Sequence, residues 1–179
     1  MIGKGKSISH GVAALEYDLA KEINGQAVAT EIARHELYGC TGAEMVQEMK
    51  PYHIDFPNVK NNCLRFEVSP SIEESATFTD ADWAELGNDF MQRMGLANHQ
   101  YIIIRHSGTE SKKEQAHLHI LANRVSLSGE LYRDNWIGKK ATEAANAIAK
   151  ERNFVQSQDI GKVNKAEIKE AMDGVLKKM

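Results

Sequence analysis

The strongest constraint on the fold is the alternation of side chains along two neighbouring segments, 100–106 and 115–124. In the second segment, His117 and His119 alternate with Leu118 and Ile120, which is typical of a strand with one polar and one apolar face. A polar loop of about eight residues joins the two segments. So short a connection favours antiparallel pairing, because parallel strands need a much longer crossover. The pattern therefore predicts an antiparallel pair of strands with imidazoles on one face.

The rest of the chain predicts several helices around a small number of strands. The apolar spacing predicts helices over 8–23, 41–50, 79–95, 138–152 and 164–178, a strand over 63–69, and a weaker strand followed by a loop over 27–38. Thr41 is a candidate cap with Glu44 three residues on, and Thr79 or Asp80 can cap the helix over 79–95. Helices inserted between antiparallel strands predict an α+β fold rather than a doubly wound parallel sheet.

A third histidine, His106, ends the first of the two strands. In an antiparallel pair it would lie beside His117, so that three imidazoles converge on one point. Imidazole suits borderline divalent metals, and three protein ligands with open positions are typical of a catalytic site. For His117 and His119 alone, two partly exposed histidines at the end of a strand would be an equally good interpretation. The third histidine favours the metal site.

Composition excludes several other classes of protein. Two cysteines without paired spacing argue against a disulfide framework and against a cysteine zinc site. Apolar runs of about four residues are far too short to span a membrane, and residues 1–7 lack the apolar core of a secretory signal. The expected compartment is therefore the cytoplasm. The net charge of −3 argues against a protein that coats DNA without regard to sequence.

Three pieces of the sequence occur in an order that resembles a known family. They are residues 7–17 from Ser7 to Tyr17, residues 64–70 followed by 90–96, and residues 101–106 followed by 117–125. Together they resemble the relaxase domain of plasmid and transposon mobilization proteins, in the MOBP-like group common in Bacteroides-type elements. The resemblance covers roughly residues 1–135, which we expect to form the catalytic domain, with 136–179 as a C-terminal helical extension of it. Relaxases usually carry further C-terminal segments. Two interpretations therefore stay open: this chain is a whole protein, or it is the front part of a longer one.

The resemblance implies a specific fold and a specific chemistry. It implies a palm-like central antiparallel sheet with the histidines on its exposed face and helices packed on the other face. Such relaxases nick one DNA strand at an origin of transfer through a tyrosine that becomes linked to the 5′ phosphate. Carried over residue by residue, the nucleophile is Tyr17 and the ligands of a divalent cation are His106, His117 and His119. The cation is expected to be Mg²⁺ or Mn²⁺, with Zn²⁺ or Ni²⁺ as other occupants in a crystal.

Partners and alternatives follow from the same resemblance. The implied partners are single-stranded origin DNA, an accessory mobilization protein and the coupling protein of a type IV secretion system, with no membrane contact. From periodicity alone, a packed or surface tyrosine is the better interpretation of Tyr17, and Tyr38, Tyr52, Tyr101 and Tyr132 compete with it as nucleophile on equal terms. Two other functions remain open: a catalytically silent DNA- or metal-binding domain of this fold, and a metallohydrolase that uses the three histidines and water.

Several further residues are candidates for supporting roles. The family often has an aspartate in the loop after the first histidine, and here Glu110 or Glu114 could replace it. The family often has a histidine where this chain has Glu67, which either touches the site or is simply solvated. Asn123 shares the histidine face and could bind DNA or a ligand. Lys21 shares the face of Tyr17. Lys4 and Lys6 are either DNA-backbone contacts or surface lysines.

The distribution of charge is compatible with a protein that binds one DNA strand over a small part of its surface. The negative charge is concentrated in residues 27–99, which hold five basic and twelve acidic side chains. Residues 100–124, around the three histidines, hold four basic and two acidic side chains. A broad, sequence-independent DNA coat would need positive charge over most of the surface. A site that contacts DNA through a metal and a few side chains does not.

Overall fold

A computed structural model describes residues 1–108, 115–157 and 159. The elements, in chain order, are β1 (Ile2–Ile8), α1 (Gly11–Leu19), β2 (Glu22–Ile23), β3 (Gln26–Ala27), β4 (Ala29–His35), α2 (Gly42–Met49), a 3-10 turn (Lys50–His53), β5 (Cys63–Ser69), α3 (Ile72–Ser75), α4 (Asp80–Arg93), β6 (His99–His106), β7 (His117–Ser126) and α5 (Ile137–Glu151). The helix predicted over 164–178 lies outside the described residues. No helix within the described ranges is both long enough and apolar enough to cross a membrane.

Five strands form one sheet in the order β1-β5-β7-β6-β4, and every neighbouring pair is antiparallel. This arrangement confirms the predicted α+β class. The predicted antiparallel pairing of β6 with β7 is also confirmed, and places these two strands at the middle of the sheet with β5. The caps predicted from sequence are present: Thr41 and Glu44 cap α2 reciprocally, and of the two candidates for α4 it is Thr79 that caps the helix, together with Asp82.

The prediction of a helix over 8–23 is wrong at both ends. Residues 2–8 form the edge strand β1, and α1 begins only at Gly11. The sequence of β1 shows no alternation of apolar and polar residues, because the side of the strand that packs on α5 carries Gly3 and Gly5 instead of large apolar residues. At the other end, a tight turn at Asn24 and Gly25, both with positive φ, produces the small hairpin β2–β3.

Helices pack on both faces of the sheet. On one face, α4 and α5 cover the apolar residues of β5, β6 and β7. On the other face, α1 and α2 cover a smaller cluster that includes Ile102, Ile104 and Leu121. Because His106, His117 and His119 lie on this second face, the histidine face is less open than the resemblance implies. The helix α1 lies next to the histidines and so belongs to the surroundings of the site.

The close packing of β1 on α5 depends on Gly3. A Cβ atom at this position would lie 2.5 Å from the carbonyl oxygen of Ala141 and 2.6 Å from the Cβ of Ala145. We therefore expect Gly3→Val to lower the free energy of unfolding by about 1 to 3 kcal/mol, because strand and helix must separate to admit the side chain. Urea unfolding measures the change. Ile2→Val is the control, since Ile2 points to the exposed side of the same strand, and an equal loss in both variants would contradict this explanation.

Candidate metal centre and nucleophile

The register of β6 and β7 brings the three histidines together, as predicted. His106 pairs with His117 and Ile104 pairs with His119. Because alternate residues of a strand share a face, the three imidazoles form one cluster. Their ring centroids are 4.5 to 5.3 Å apart, and one potential ligand nitrogen from each ring lies within 4.8 Å of the others. The cluster is buried or half-buried at the end of the β6–β7 pair.

The geometry of the cluster fits a divalent cation. The Nε2 atoms of His117 and His119 are 3.1 Å apart. Two nitrogens that bind one cation at about 2.1 Å stand roughly 3.0 to 3.4 Å apart in octahedral or tetrahedral geometry. The other ring nitrogen of His117, Nδ1, donates a hydrogen bond to the carbonyl oxygen of Gln115 at 3.1 Å. This contact leaves the Nε2 lone pair of His117 available to a metal.

The electrostatic environment favours the uncharged form of His106 and His119, which is the form that binds a metal. Burial, together with the smaller effects of His106 and His117, lowers the pKa of His119 to about 2. Burial is also the main cause that lowers the pKa of His106, with smaller contributions from His117 and Lys21. A protonated cluster would place several positive charges side by side in a region of low solvent access.

Two residues that the sequence pattern did not single out contact the cluster. The main-chain carbonyl of Asp18 accepts a hydrogen bond from Nε2 of His106 at 2.7 Å. Its buried carboxylate forms two hydrogen bonds with Arg65, at 2.5 and 3.1 Å, and lies 3.9 Å from Nδ1 of His119. Nη2 of Arg65 is 3.4 Å from that same nitrogen of His119. The ion pair thus links α1, which carries Asp18, to β5, which carries Arg65.

Tyr17 precedes Asp18 on α1, so the candidate nucleophile belongs to the helix that contacts the histidines. Its side chain is 56% exposed, and Nζ of Lys21 donates a hydrogen bond to its hydroxyl at 2.6 Å. The same ammonium lies 4.8 Å from the centre of the tyrosine ring. The charge of Lys21 also contributes to the lowered pKa of His106, so the lysine is within electrostatic reach of the cluster. The structure thus brings Tyr17, Lys21 and the histidines into one region.

Three of the four competing tyrosines, Tyr38, Tyr101 and Tyr132, have different surroundings. Tyr101 and Tyr132 pack against the core on the opposite face of the sheet, and burial raises the pKa of each. Tyr38 is exposed, and its hydrogen bond to Glu36 raises the pKa of its hydroxyl. A tyrosine with a raised pKa is a poorer nucleophile at neutral pH, because less of it is in the reactive anionic form.

A cleft of about 190 Å³ lies beside His119. Its polar lining consists of Lys4, Lys6, Arg65, Glu67 and His119. Glu67 pairs with His119 in the β5–β7 register, and its carboxylate accepts a hydrogen bond from Nζ of Lys4 at 2.9 Å. Lys4 and Lys6 are exposed on the edge strand β1. The cleft therefore offers two accessible cations next to the histidine cluster.

Asn123 shares the histidine face, but its amide is occupied within the protein. The side chain is fully buried, its Nδ2 donates to Gln100 at 3.0 Å and to the carbonyl of Met49 at 3.3 Å, and its Oδ1 contacts Nε2 of His53 at 2.6 Å. Asn123 thus holds α2 and the following turn on the sheet and is not accessible to DNA in this structure. Glu110 and Glu114 lie outside the described residues.

The architecture and the site together define a relaxase-type fold. A solved structure with a similar fold is that of the conjugative relaxase TrwC in complex with oriT DNA, in a metal-bound form. The two chains are 12% identical, with a TM-score of 0.50 over 89% of this chain and 70% of that chain. Comparison with curated proteins finds no match.

The family is established by a model of the relaxase nuclease domain of the MobA/VirD2-like type, which matches residues 17–154. The matched region begins at Tyr17 and includes β6 and β7 with all three histidines. The chain belongs to this family of relaxase nuclease domains. The resemblance noted in the sequence is thereby confirmed at the level of the family.

Proposed function

We propose that this protein nicks one strand of DNA at an origin of transfer, with Tyr17 as the nucleophile and His106, His117 and His119 as the ligands of a divalent cation. The observation that carries the proposal is the contact of Asp18 with two of the three histidines, one residue after Tyr17 on the same helix. Membership of the relaxase family supports the reaction class. The catalytic domain in this proposal is residues 1–135, with 136–179 as its C-terminal extension.

The proposed reaction conserves the energy of the phosphodiester bond. The Tyr17 oxygen attacks the scissile phosphorus, a new bond forms between them, and the bond from phosphorus to the 3′ oxygen breaks. The phenol loses its proton and the departing 3′ oxygen gains one, which leaves a 5′-phosphotyrosyl link and a 3′ hydroxyl. Because the product is a phosphodiester, the reverse reaction can rejoin the strand. A divalent cation at the three histidines would act as a Lewis acid on the phosphate oxygens.

The residues around Tyr17 have defined roles in this proposal. Lys21, which donates to the tyrosine hydroxyl, stabilises negative charge as it develops on that oxygen. Arg65 and the lysines of the cleft are placed to contact the phosphate backbone of a single strand. We propose that the protein acts in the cytoplasm and works with an accessory mobilization protein and a coupling protein of a type IV secretion system.

The lysines of the cleft give a prediction about the salt dependence of DNA binding. Each phosphate contact to a single strand contributes about 0.7 to the slope of log affinity against log salt concentration. We expect the double substitution Lys4→Gln with Lys6→Gln to reduce that slope by about 1.4, measured by fluorescence anisotropy on a labelled single strand. Lys150→Gln, an exposed lysine near the end of α5, is the control. An unchanged slope in the double variant would show that the phosphates of the bound strand do not contact Lys4 or Lys6.

The proposed function can be tested directly before the origin sequence is known. Labelled single-stranded oligonucleotides that tile the DNA on either side of the coding sequence are incubated with the protein and Mn²⁺ or Mg²⁺. We expect one or a few oligonucleotides to yield a covalent protein–DNA adduct on a denaturing gel, dependent on the metal. Specific binding without cleavage would favour the catalytically silent alternative.

A further inference from the structure

We propose that Asp18 is the positioning residue of the metal site: its carboxylate would accept the Nδ1–H of His119 once a cation is bound through Nε2 of that ring, and its main-chain carbonyl holds His106. This inference rests on the proposed metal-binding role of the three histidines and goes further, because it names the acidic residue that supports them. The resemblance suggests Glu110 or Glu114 for such a role, and neither periodicity nor motif points to Asp18.

The position of the proton on His119 determines which partner its ring requires. Nη2 of Arg65 approaches Nδ1 of His119 at 3.4 Å. A guanidinium can only donate, so this nitrogen of His119 is the acceptor and its proton resides on Nε2, which faces His117 at 3.1 Å. A histidine that binds a cation through Nε2 has its proton on Nδ1 instead. Metal binding through Nε2 therefore reverses the requirement at Nδ1, from a donor partner to an acceptor partner.

Asp18 is the acceptor that the structure provides. Its carboxylate oxygen Oδ1 is 3.9 Å from Nδ1 of His119, on the same side of the ring as Arg65. Within residues 1–108 and 115–157, no other carboxylate has an ion-pair contact with any of the three histidines. Glu67, opposite His119 on β5, is instead engaged by Lys4. Ligand histidines commonly donate their second N–H to a carboxylate, which fixes the ring and strengthens the ligand.

The burial of Asp18 makes the arrangement specific. The residue is 1% exposed, which is unusual for an aspartate unless its charge is paired. Arg65 supplies that pairing through two hydrogen bonds. The pair thus keeps a carboxylate next to His119. Because Asp18 follows Tyr17, the same residue fixes the distance between the nucleophile's helix and the histidine cluster.

The test compares metal affinity in variants that separate this role from simple ion pairing. Mn²⁺ binding is measured by isothermal titration calorimetry in Asp18→Asn, in Arg65→Met and in the double variant. We expect Asp18→Asn to weaken Mn²⁺ binding by about 10- to 100-fold. Arg65→Met should bind Mn²⁺ at least as tightly as the wild-type chain, because it removes a competing donor and a nearby positive charge. The double variant should remain as weak as Asp18→Asn.

If Asp18→Asn fails to fold, the double variant can still be measured. The double variant leaves no buried arginine without a partner, because Arg65 is also replaced. A purely structural role for Asp18 predicts that the double variant recovers wild-type affinity, and that result would overturn the proposal. Glu16→Gln is the matched control, since it removes a negative charge from the same helix but its carboxylate contacts Ala43. We expect its affinity to stay within about twofold of wild type.

One further variant distinguishes failure of this inference from failure of the proposed function. His119→Ala is titrated beside the Asp18 variants. Loss of binding in His119→Ala with unchanged binding in Asp18→Asn would contradict only the role of Asp18. A wild-type chain that takes up no Mn²⁺ would contradict the metal site itself, and the inference with it.

Discussion

Replacing Tyr17 with phenylalanine is expected to abolish the covalent protein–DNA adduct, with a loss of at least about 10³-fold in the rate of strand cleavage. The substitution removes one oxygen atom and keeps the ring that packs beside Lys21. Because the hydroxyl is exposed and its only described hydrogen bond is with Lys21, the change should cost little stability. The adduct is measured on a denaturing gel with the oligonucleotide that the wild-type protein cleaves, and binding by fluorescence anisotropy should be retained.

The matched control for this substitution is Tyr38→Phe. Tyr38 is also exposed and also loses one hydrogen bond, to Glu36, but its hydroxyl lies in an acidic environment that disfavours the anionic form. We expect normal adduct formation in this variant. An undiminished adduct in Tyr17→Phe would exclude Tyr17 as the nucleophile. Cleavage without any adduct would instead favour a metallohydrolase that uses water on the same three histidines.

The fold could be predicted wherever the sheet packs against large apolar side chains. The alternation in β5, β6 and β7 specifies both faces of each strand, and the capping pairs of α2 and α4 mark where those helices begin. Strand β1 could not be predicted because Gly3 and Gly5 contribute no side chains to its packed face. A close approach between backbones leaves no hydrophobic pattern in the sequence.

The site could be predicted only in the part that a single strand pair determines. The three histidines lie on two adjacent strands, so alternation and antiparallel pairing suffice to bring them together. The ion pair of Asp18 with Arg65 joins a helix to a strand 47 positions later, and nothing local indicates that these charges meet or that they are buried. Strand alternation also places Asn123 on the histidine face, but its burial depends on α2, which covers that part of the sheet.

Removing one histidine of the cluster should have the second large effect, this time on metal binding. We expect His117→Ala to weaken Mn²⁺ binding by at least about 100-fold, because loss of a direct ligand costs more than the 10- to 100-fold typical of an outer-shell partner. His117 is the best choice, since its Nδ1 contact with Gln115 commits its Nε2 lone pair to the cluster. Isothermal titration calorimetry measures the affinity, and the metal-dependent adduct should disappear in parallel.

The size of this effect separates a shared metal site from three independent histidines. A cation held by all three rings loses a third of its protein ligands in His117→Ala. A cation bound by a single histidine would keep its affinity in this variant unless that histidine were His117. His10→Ala is the control, because His10 is exposed at the start of α1 and does not belong to the cluster. Retention of wild-type Mn²⁺ affinity in His117→Ala, with unfolding measured to confirm that the chain remains folded, would contradict the three-histidine site. Loss of metal with retained binding to single-stranded DNA would show that the lysine cleft and the histidine cluster contribute separately, one to holding the strand and the other to its cleavage.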